Sequence, residues 1–387
     1  MAGVLSRFAL VCRTWKDLVY DTSTLWVDVF ITLDALKSDK QSRIVHQRSR
    51  RFVIPDRVKW RASKAKDAPV NLYIKATSTL IDSDQVTCML EVIPNIRTFT
   101  VFDSSLGFLP LFVRAWSQLR EVREAKYFKH TFGDVDGDIL RHLAGMPMLI
   151  SLWLSKSQLL VPYRVESPVL PALTCLILEG ERDRLFQSSI AAFLSHCPQI
   201  EELYLEHVLG TTAQYPSSAP PITLTKLRKI STRTMSVMNQ FSQGNITTPE
   251  LKELKVRSWE DSYMQLAFDF SAANQSTLTT VVIAVDDGPE YQRMLYPLVN
   301  LTFLELDVLR GRGDYLSALY TLPDHHRPTN QPPYAACLPL LRAVRLSLIF
   351  TTLLSESFDR FAAARCVPIN AQSMTQAGYR ALDRLQV

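Results

Sequence analysis

No Cys-x-x-Cys pair occurs in this chain, and its six cysteines (Cys12, Cys88, Cys175, Cys197, Cys337 and Cys366) are scattered over 387 residues. That scatter excludes a dense disulfide framework. It is the pattern of reduced, buried thiols in an intracellular protein, cytoplasmic or nuclear. No apolar run approaches the roughly 18 residues that a membrane span requires. Arg7 and Arg13 interrupt the first apolar stretch, so a secretory signal is not expected there. The formal net charge is only +5, which by itself points to no nucleic acid partner.

The signatures of common chemistry are missing as well. There is no Gly-x-Ser-x-Gly, no His-Glu-x-x-His, no Walker loop and no dinucleotide glycine pattern. His325 and His326 sit beside Asp324 in a proline-rich stretch, where adjacent histidines are usually solvated. His196 and Cys197 close an apolar run ahead of a strand-like segment, a place where Cys is usually core. No constellation asks for catalysis, a cofactor or a metal, so a non-enzymatic role is expected.

What the chain does have is apolar pattern. Hydrophobic residues make up 47% and charged residues 21%, a globular balance. The opening stretch LVCRTWKDLVYDTSTLWVDVFI, residues 10–31, holds two tryptophans. Val4, Phe8, Val11, Trp15 and Leu18 step by four and three, with Leu5, Cys12 and Val19 beside them. This predicts a helix with a broad apolar stripe that has to dock on something. Asp21 to Thr24 breaks the helix, and Leu25 and Trp26 restart the pattern.

The combination Val11, Cys12, Trp15 and Leu18, followed by Leu25 and Trp26, resembles the second half of an F-box. The Leu-Pro-x-Glu opening of that family has no counterpart ahead of Val4. The resemblance implies that these six residues bind the Skp-type adaptor of an SCF ubiquitin ligase.

A line of the form (Pro)-x-Leu-x-x-Leu-x-Leu then recurs, as in PALTCLIL from Pro171, PQIEELYL from Pro198 and PELKELKV from Pro249. Its first apolar positions fall at 96, 119, 149, 173, 200, 227, 251, 278, 301 and 341. Eight of the nine gaps lie between 23 and 30 residues, near the roughly 20–29 of a leucine-rich repeat. Segments such as DRLFQSSIAAFLSHC (183–197) read as the helices between, with Leu185, Phe186, Ile190, Phe193 and Leu194 on one face. Each strand–helix unit buries its apolar face only against neighbours. The last gap, 40 residues, holds the proline-rich stretch Leu322 to Pro333, expected as a surface loop.

The expected fold is therefore α/β: an irregular leucine-rich-repeat solenoid preceded by a short all-α F-box-like segment. Overall the chain resembles divergent fungal F-box/leucine-rich-repeat proteins. The expected boundaries are 1–31 for the helical segment, 32–67 for a basic linker, 68–350 for the solenoid and 351–387 for a C-terminal helical cap. Lys37 to Lys66 carries eleven Lys or Arg against two Asp, most simply a solvated connecting helix or loop.

Alternate strand positions point out of the core. On the motif these include Cys175, Glu202, Glu206, Glu253, Val282 and Glu305. The ones expected to grip a target protein on the concave face are Trp153, Ile177, Tyr204, Lys255, Arg257, Phe303 and Arg345, mixed aromatics and charges of the kind found at hot spots. The resulting expectation is a substrate-recognition subunit that joins an adaptor to a target protein, with no nucleic acid and no membrane as partner. The alternative is a stand-alone scaffold whose first helix only caps the array.

Overall fold

The computed structural model describes residues 13–33, 56–65, 67–76, 90–93, 95–103, 119–129, 143, 145–155, 170–180, 190–206, 221–233, 241, 246–256, 264–285, 294–295, 297–308, 338–348, 361 and 384–386. The chain forms two compact units, residues 1–180 with 195–198, and residues 181–194 with 199–387.

The first unit opens with α1 (Arg13–Asp21). Thr22 stops it by donating both its amide and its hydroxyl to the carbonyl of Leu18, at 3.1 and 2.7 Å. A 3-10 turn over Ser23–Trp26 follows, and the chain then enters β1 (Asp28–Leu33). Helix α2 (Asp56–Ala65) buries Val58, Ala62 and Ala65, one face at i, i+4 and i+7. Five further strands follow: β2 (Val70–Ala76), β3 (Ile96–Asp103), β4 (Glu124–Lys129), β5 (Ser151–Ser155) and β6 (Cys175–Glu179). Each is parallel to the one before and beside it. A run of parallel strands in chain order, each joined to the next by a crossover, is a parallel β-solenoid.

The second unit repeats the scheme with β7 (Glu202–Glu206), β9 (Lys229–Thr232), β11 (Glu253–Val256), β12 (Thr280–Val285), β13 (Phe303–Val308), β14 (Ala343–Leu348) and β15 (Arg384–Gln386). All are parallel in that order. A small separate pair joins β8 (Ile222–Thr223) to β10 (Ile246–Thr247). Its helices are α3 (Ile190–Leu194), every residue of which is buried, and α4 (Met264–Ala273).

The repeated line has a local cause. Before β4, β5, β6, β9, β11, β13 and β14 the chain makes a four-residue turn closed by an N–H of residue i+3 on the carbonyl of residue i. Clear cases are Met146 to Leu149, Leu170 to Leu173, Leu224 to Leu227, Thr248 to Leu251, Leu298 to Leu301 and Leu338 to Leu341. The prolines 147, 171, 249 and 339 occupy position i+1 of such turns, where a fixed φ is favourable and no amide is needed. The last residue of each turn is the first apolar slot of the motif, and all are essentially inaccessible. The residue after it then donates its amide to the equivalent carbonyl one repeat back, and its successor donates to the same oxygen. Ile150 and Ser151 do so to Arg123, and Lys252 and Glu253 to Arg228, at 2.8–3.0 Å. Thr174, Thr279 and Thr302 add their hydroxyls to the same row of carbonyls.

Three expectations are corrected by these contacts. The parallel ladder begins at Asp28, not after 67, because Val29 and Ile31 lie beside Leu72 and Ile74 in register. The segment 28–33 is thus strand rather than part of an all-α module, and β15 continues the ladder at Arg384–Gln386, inside the stretch expected as a helical cap. The motif slot placed at Leu119 belongs to Val122. Phe99 is in register with Ala125, and Arg123 donates to Arg97, so the equivalent of Ile96 is three residues later. Leu119 and Val122 are both fully buried, which is why the spacing alone confused them. With Val122 in place, the gaps on either side of it become 26 and 27 residues.

Candidate functional site

Laying the strands side by side sorts their side chains into rows. In the first unit Val29, Leu72, Phe99, Ala125, Leu152 and Leu176 form one inward row. The neighbouring outward row is Phe30, Tyr73, Thr100, Lys126, Trp153 and Ile177. Two positions along lie Lys75, Phe102, Phe128, Ser155 and Glu179.

The outward rows are dominated by aromatic rings in contact. Phe30 stacks on Tyr73 with centroids 4.5 Å apart and planes 11° from parallel. Phe102 stacks on Phe128 at 5.1 Å and 11°, and Trp153 meets Phe128 edge-on at 5.0 Å. Phe30 is 57% exposed; Tyr73, Phe102, Phe128, Trp153 and Ile177 are half-buried.

The polar groups on this face are largely paired among themselves. Trp153 Nε1 donates to Glu179 Oε2 at 3.2 Å, and Asn71 Nδ2 donates to Asp28 Oδ1 at 2.9 Å. Lys126 lies 2.7 Å from Glu124 and 5.8 Å from the centre of the Trp153 ring.

The second unit presents a different surface. Its outward positions include Glu202, Tyr204, Lys229, Glu253, Lys255, Glu305 and Arg345. Tyr204 donates its hydroxyl to Glu202 at 2.7 Å, and Lys229 pairs with Glu253 at 3.0 Å while facing the Tyr204 ring. Burial by itself would lower the Lys229 pKa. The hydrogen bond and charge of Glu253, with Tyr204, outweigh it, and the net shift is upward, so the ammonium stays charged. Arg345 reaches Glu305 at 3.4 Å.

Of the residues expected to grip a target, Trp153 and Ile177 are neighbours in one row of the first unit. Tyr204, Lys255, Phe303 and Arg345 stand on outward positions of the second, and Arg257 lies outside the described residues. Val282 is outward by register yet only 5% exposed, so it offers nothing to a partner. Sequence reasoning missed Phe30, Tyr73, Phe102 and Phe128. The alternation of Val29 with Ile31, and of Val70, Leu72 and Ile74, was the signal that could have found the first two.

The six residues expected to meet an adaptor divide. Leu18 and Leu25 are exposed, at 58% and 39%. Trp15 lies in α1, and Val11 and Cys12 lie outside the described residues. Trp26 is 2% exposed and faces the chain's own interior. Its indole donates to the carbonyl of Val19 at 2.8 Å, and its ring packs edge-on against Trp60 at 5.0 Å and tilted against Tyr20 at 5.9 Å.

Among the described residues no group of three or more His, Cys, Asp or Glu is placed to hold a metal ion. None of the described helices is long and apolar enough to cross a membrane.

Fold and face together define a parallel β-solenoid with an aromatic strand face on one unit and a charged one on the other. No protein-family model matches the chain, and no curated protein does. Among solved structures, one matching chain comes from the Toll–Spatzle complex of Drosophila, described as a molecular hub in development and innate immunity. The identity is 8% and the TM-score 0.23, over 76% of this chain and 45% of that one. This chain thus spans less than half the length of that neighbour, and a likeness so slight carries no argument about function.

Proposed function

We propose that this chain is the substrate-recognition subunit of an SCF-type ubiquitin ligase. It binds a target protein on its strand faces and a Skp-type adaptor through the N-terminal helix and turn. It performs no chemistry of its own and acts by holding the target near a recruited conjugating enzyme. The observation that carries this reading is the F-box-like order of Trp15, Leu18, Leu25 and Trp26, with Leu18 and Leu25 left exposed where a partner can reach them. Isolated exposed leucines are common, but two ahead of a buried tryptophan on one short segment mark a candidate contact.

The test is co-purification with a Skp-type adaptor. A one-to-one complex is expected from the chain as it stands. Its loss is expected in Leu18→Ala/Leu25→Ala with the unfolding midpoint unchanged. A well-folded chain that brings down no adaptor would defeat the reading.

The burial of Trp26 favours a second reading, a stand-alone interaction scaffold. In it, α1, the 3-10 turn and α2 do no more than cover the hydrophobic end of the ladder, as terminal repeats must.

A further inference from the structure

The ladder of the first unit begins at an open edge. β1 pairs with β2 on one side, and among the described residues no strand pairs with it on the other. The amide of Asn71 donates to the carbonyl of Val27 at 2.8 Å, which fixes how the strand is turned. Successive residues of a strand direct their backbone groups to alternate sides of the ladder. Val29, Ile31 and Leu33 therefore serve β2, and Asp28, Phe30 and Thr32 direct three amides and three carbonyls at the open edge.

Only Asp28, at the start of the strand, blunts that edge. The six residues DVFITL include no proline and no lysine, and their register with β2 is unbroken. Edge strands that stay unpaired are ordinarily short, charged or bulged. β15, the last strand of the second unit, is of that kind, three residues long with Arg384 at its start. The ring of Phe30 is incomplete in the same direction. One face stacks on Tyr73 while the residue stays 57% exposed, so the other face looks away from β2 across the edge.

The strand is also complementary to itself. Laid antiparallel against a second copy with Phe30 on the dyad, it sets Asp28 opposite Thr32 and Val29 opposite Ile31. Phe30 then meets Phe30 as a hydrogen-bonded pair, and Asp28 with Thr32 makes another on either side. Every amide and carbonyl directed at the edge finds a partner in that register. Centring on Ile31 instead carries Asp28 past the end of the opposing strand. Side chains keep their sides: Val29 and Ile31 stay inward, and the outward rings line up as Tyr73, Phe30, Phe30, Tyr73. The two Asp28 carboxylates stand about 14 Å apart along the sheet, beyond the roughly 8 Å over which exposed charges act.

We propose that β1 joins a second copy of this chain edge to edge, antiparallel about Phe30, into one continuous sheet.

Sedimentation velocity of the full chain tests it. So narrow a contact belongs with transient interfaces, and dimer is expected to grow in as the chain is raised from about 1 to about 100 µM. Thr32→Pro removes an amide that serves no bond to β2. It is expected to leave the chain monomeric at about 100 µM with its urea midpoint unchanged. Phe30→Cys brings two thiols together at the dyad, on Cα atoms about 5.5 Å apart. It is expected to oxidise to a covalent dimer on non-reducing electrophoresis, whereas Thr32→Cys, about 14 Å from its counterpart, is not. A parent chain that stays monomeric throughout would overturn the proposal. So would a dimer that survives Thr32→Pro and yields no cross-link in Phe30→Cys, since the contact would then lie elsewhere.

Discussion

The indole of Trp26 donates its Nε1–H to the carbonyl of Val19, 2.8 Å away, across the bend between α1 and the first strand. The bond satisfies an otherwise orphaned carbonyl of a helix C-terminus and fixes the angle at which the chain enters β1. Around it Tyr20 and Trp60 complete an aromatic cluster, with the Arg61 guanidinium 6.0 Å from the Trp26 ring. Trp26→Ala removes the whole ring from a closed site and is expected to cost about 3–5 kcal/mol in urea unfolding. Trp26→Phe keeps part of the packing and loses the hydrogen bond, so a smaller loss, about 1–3 kcal/mol, is expected. Equal stability of the two variants would mean that the N–H bond, lost in both, and not the packing that Phe keeps, does the stabilising.

The register of β3 against β4 can be tested by cross-linking. Thr98 and Glu124 are in register on the outward side of adjacent strands. Neighbours in a ladder have Cα atoms about 4.8 Å apart, inside the disulfide range. Thr98→Cys/Glu124→Cys is expected to oxidise to a bridge, seen as a shift on non-reducing electrophoresis. Thr98→Cys/Glu121→Cys, the pairing that a motif starting at Leu119 would require, is expected to stay open.

His196 is 1% exposed, and neither ring nitrogen has a hydrogen-bond partner. Burial disfavours the imidazolium, so the folded pKa lies below the ordinary value of 6.5. The unfolded chain then binds the extra proton first. Stability from this residue is full above pH about 6.5 and falls as pH drops towards the folded pKa, with a slope of at most about 1.4 kcal/mol per pH unit. Urea midpoints between pH 7.5 and 5 are expected to decline. In His196→Phe the part of that decline due to this side chain disappears; an unchanged slope would exclude it as the cause.

Cys197 is inaccessible, and desolvation pushes its thiol far above the ordinary range, whereas Cys175 is half-exposed on β6. Alkylation needs the thiolate and access together. Peptide mapping after brief iodoacetamide treatment at pH 8 is expected to find Cys175 labelled and Cys197 untouched. Labelling of Cys197 is expected only once urea has opened the chain. Comparable labelling of both in the native protein would mean that the 195–200 turn opens readily.

Much of the ladder was legible in the chain because its grammar is local. A turn ending on one leucine, then leucines three and five residues on, needs only neighbours in sequence to declare itself. Leu173, Leu176 and Leu178 are all inaccessible, as that pattern demands. The same locality explains the slip at β4: Leu119 and Val122 both fit the pattern, and only hydrogen bonds to the preceding strand tell them apart.

The candidate surfaces were legible only in part, for a physical reason. Trp15, Leu18, Val19 and Trp26 are all apolar, and a sequence assigns them to one stripe without saying which of them faces a neighbour. The packing of α2 decides that Trp26 and Val19 turn inward and Leu18 outward. Phe30 and Tyr73 lie 43 positions apart, and nothing in either segment announces the other. They become a stacked pair because parallel strands in register bring distant residues to within one strand spacing. The sequence by itself determined the repeat and its buried leucines, since burial of every third and fifth position is a one-dimensional rule. The tertiary structure alone decided which aromatic side chains stand together on the outer face, since adjacency across strands depends on register.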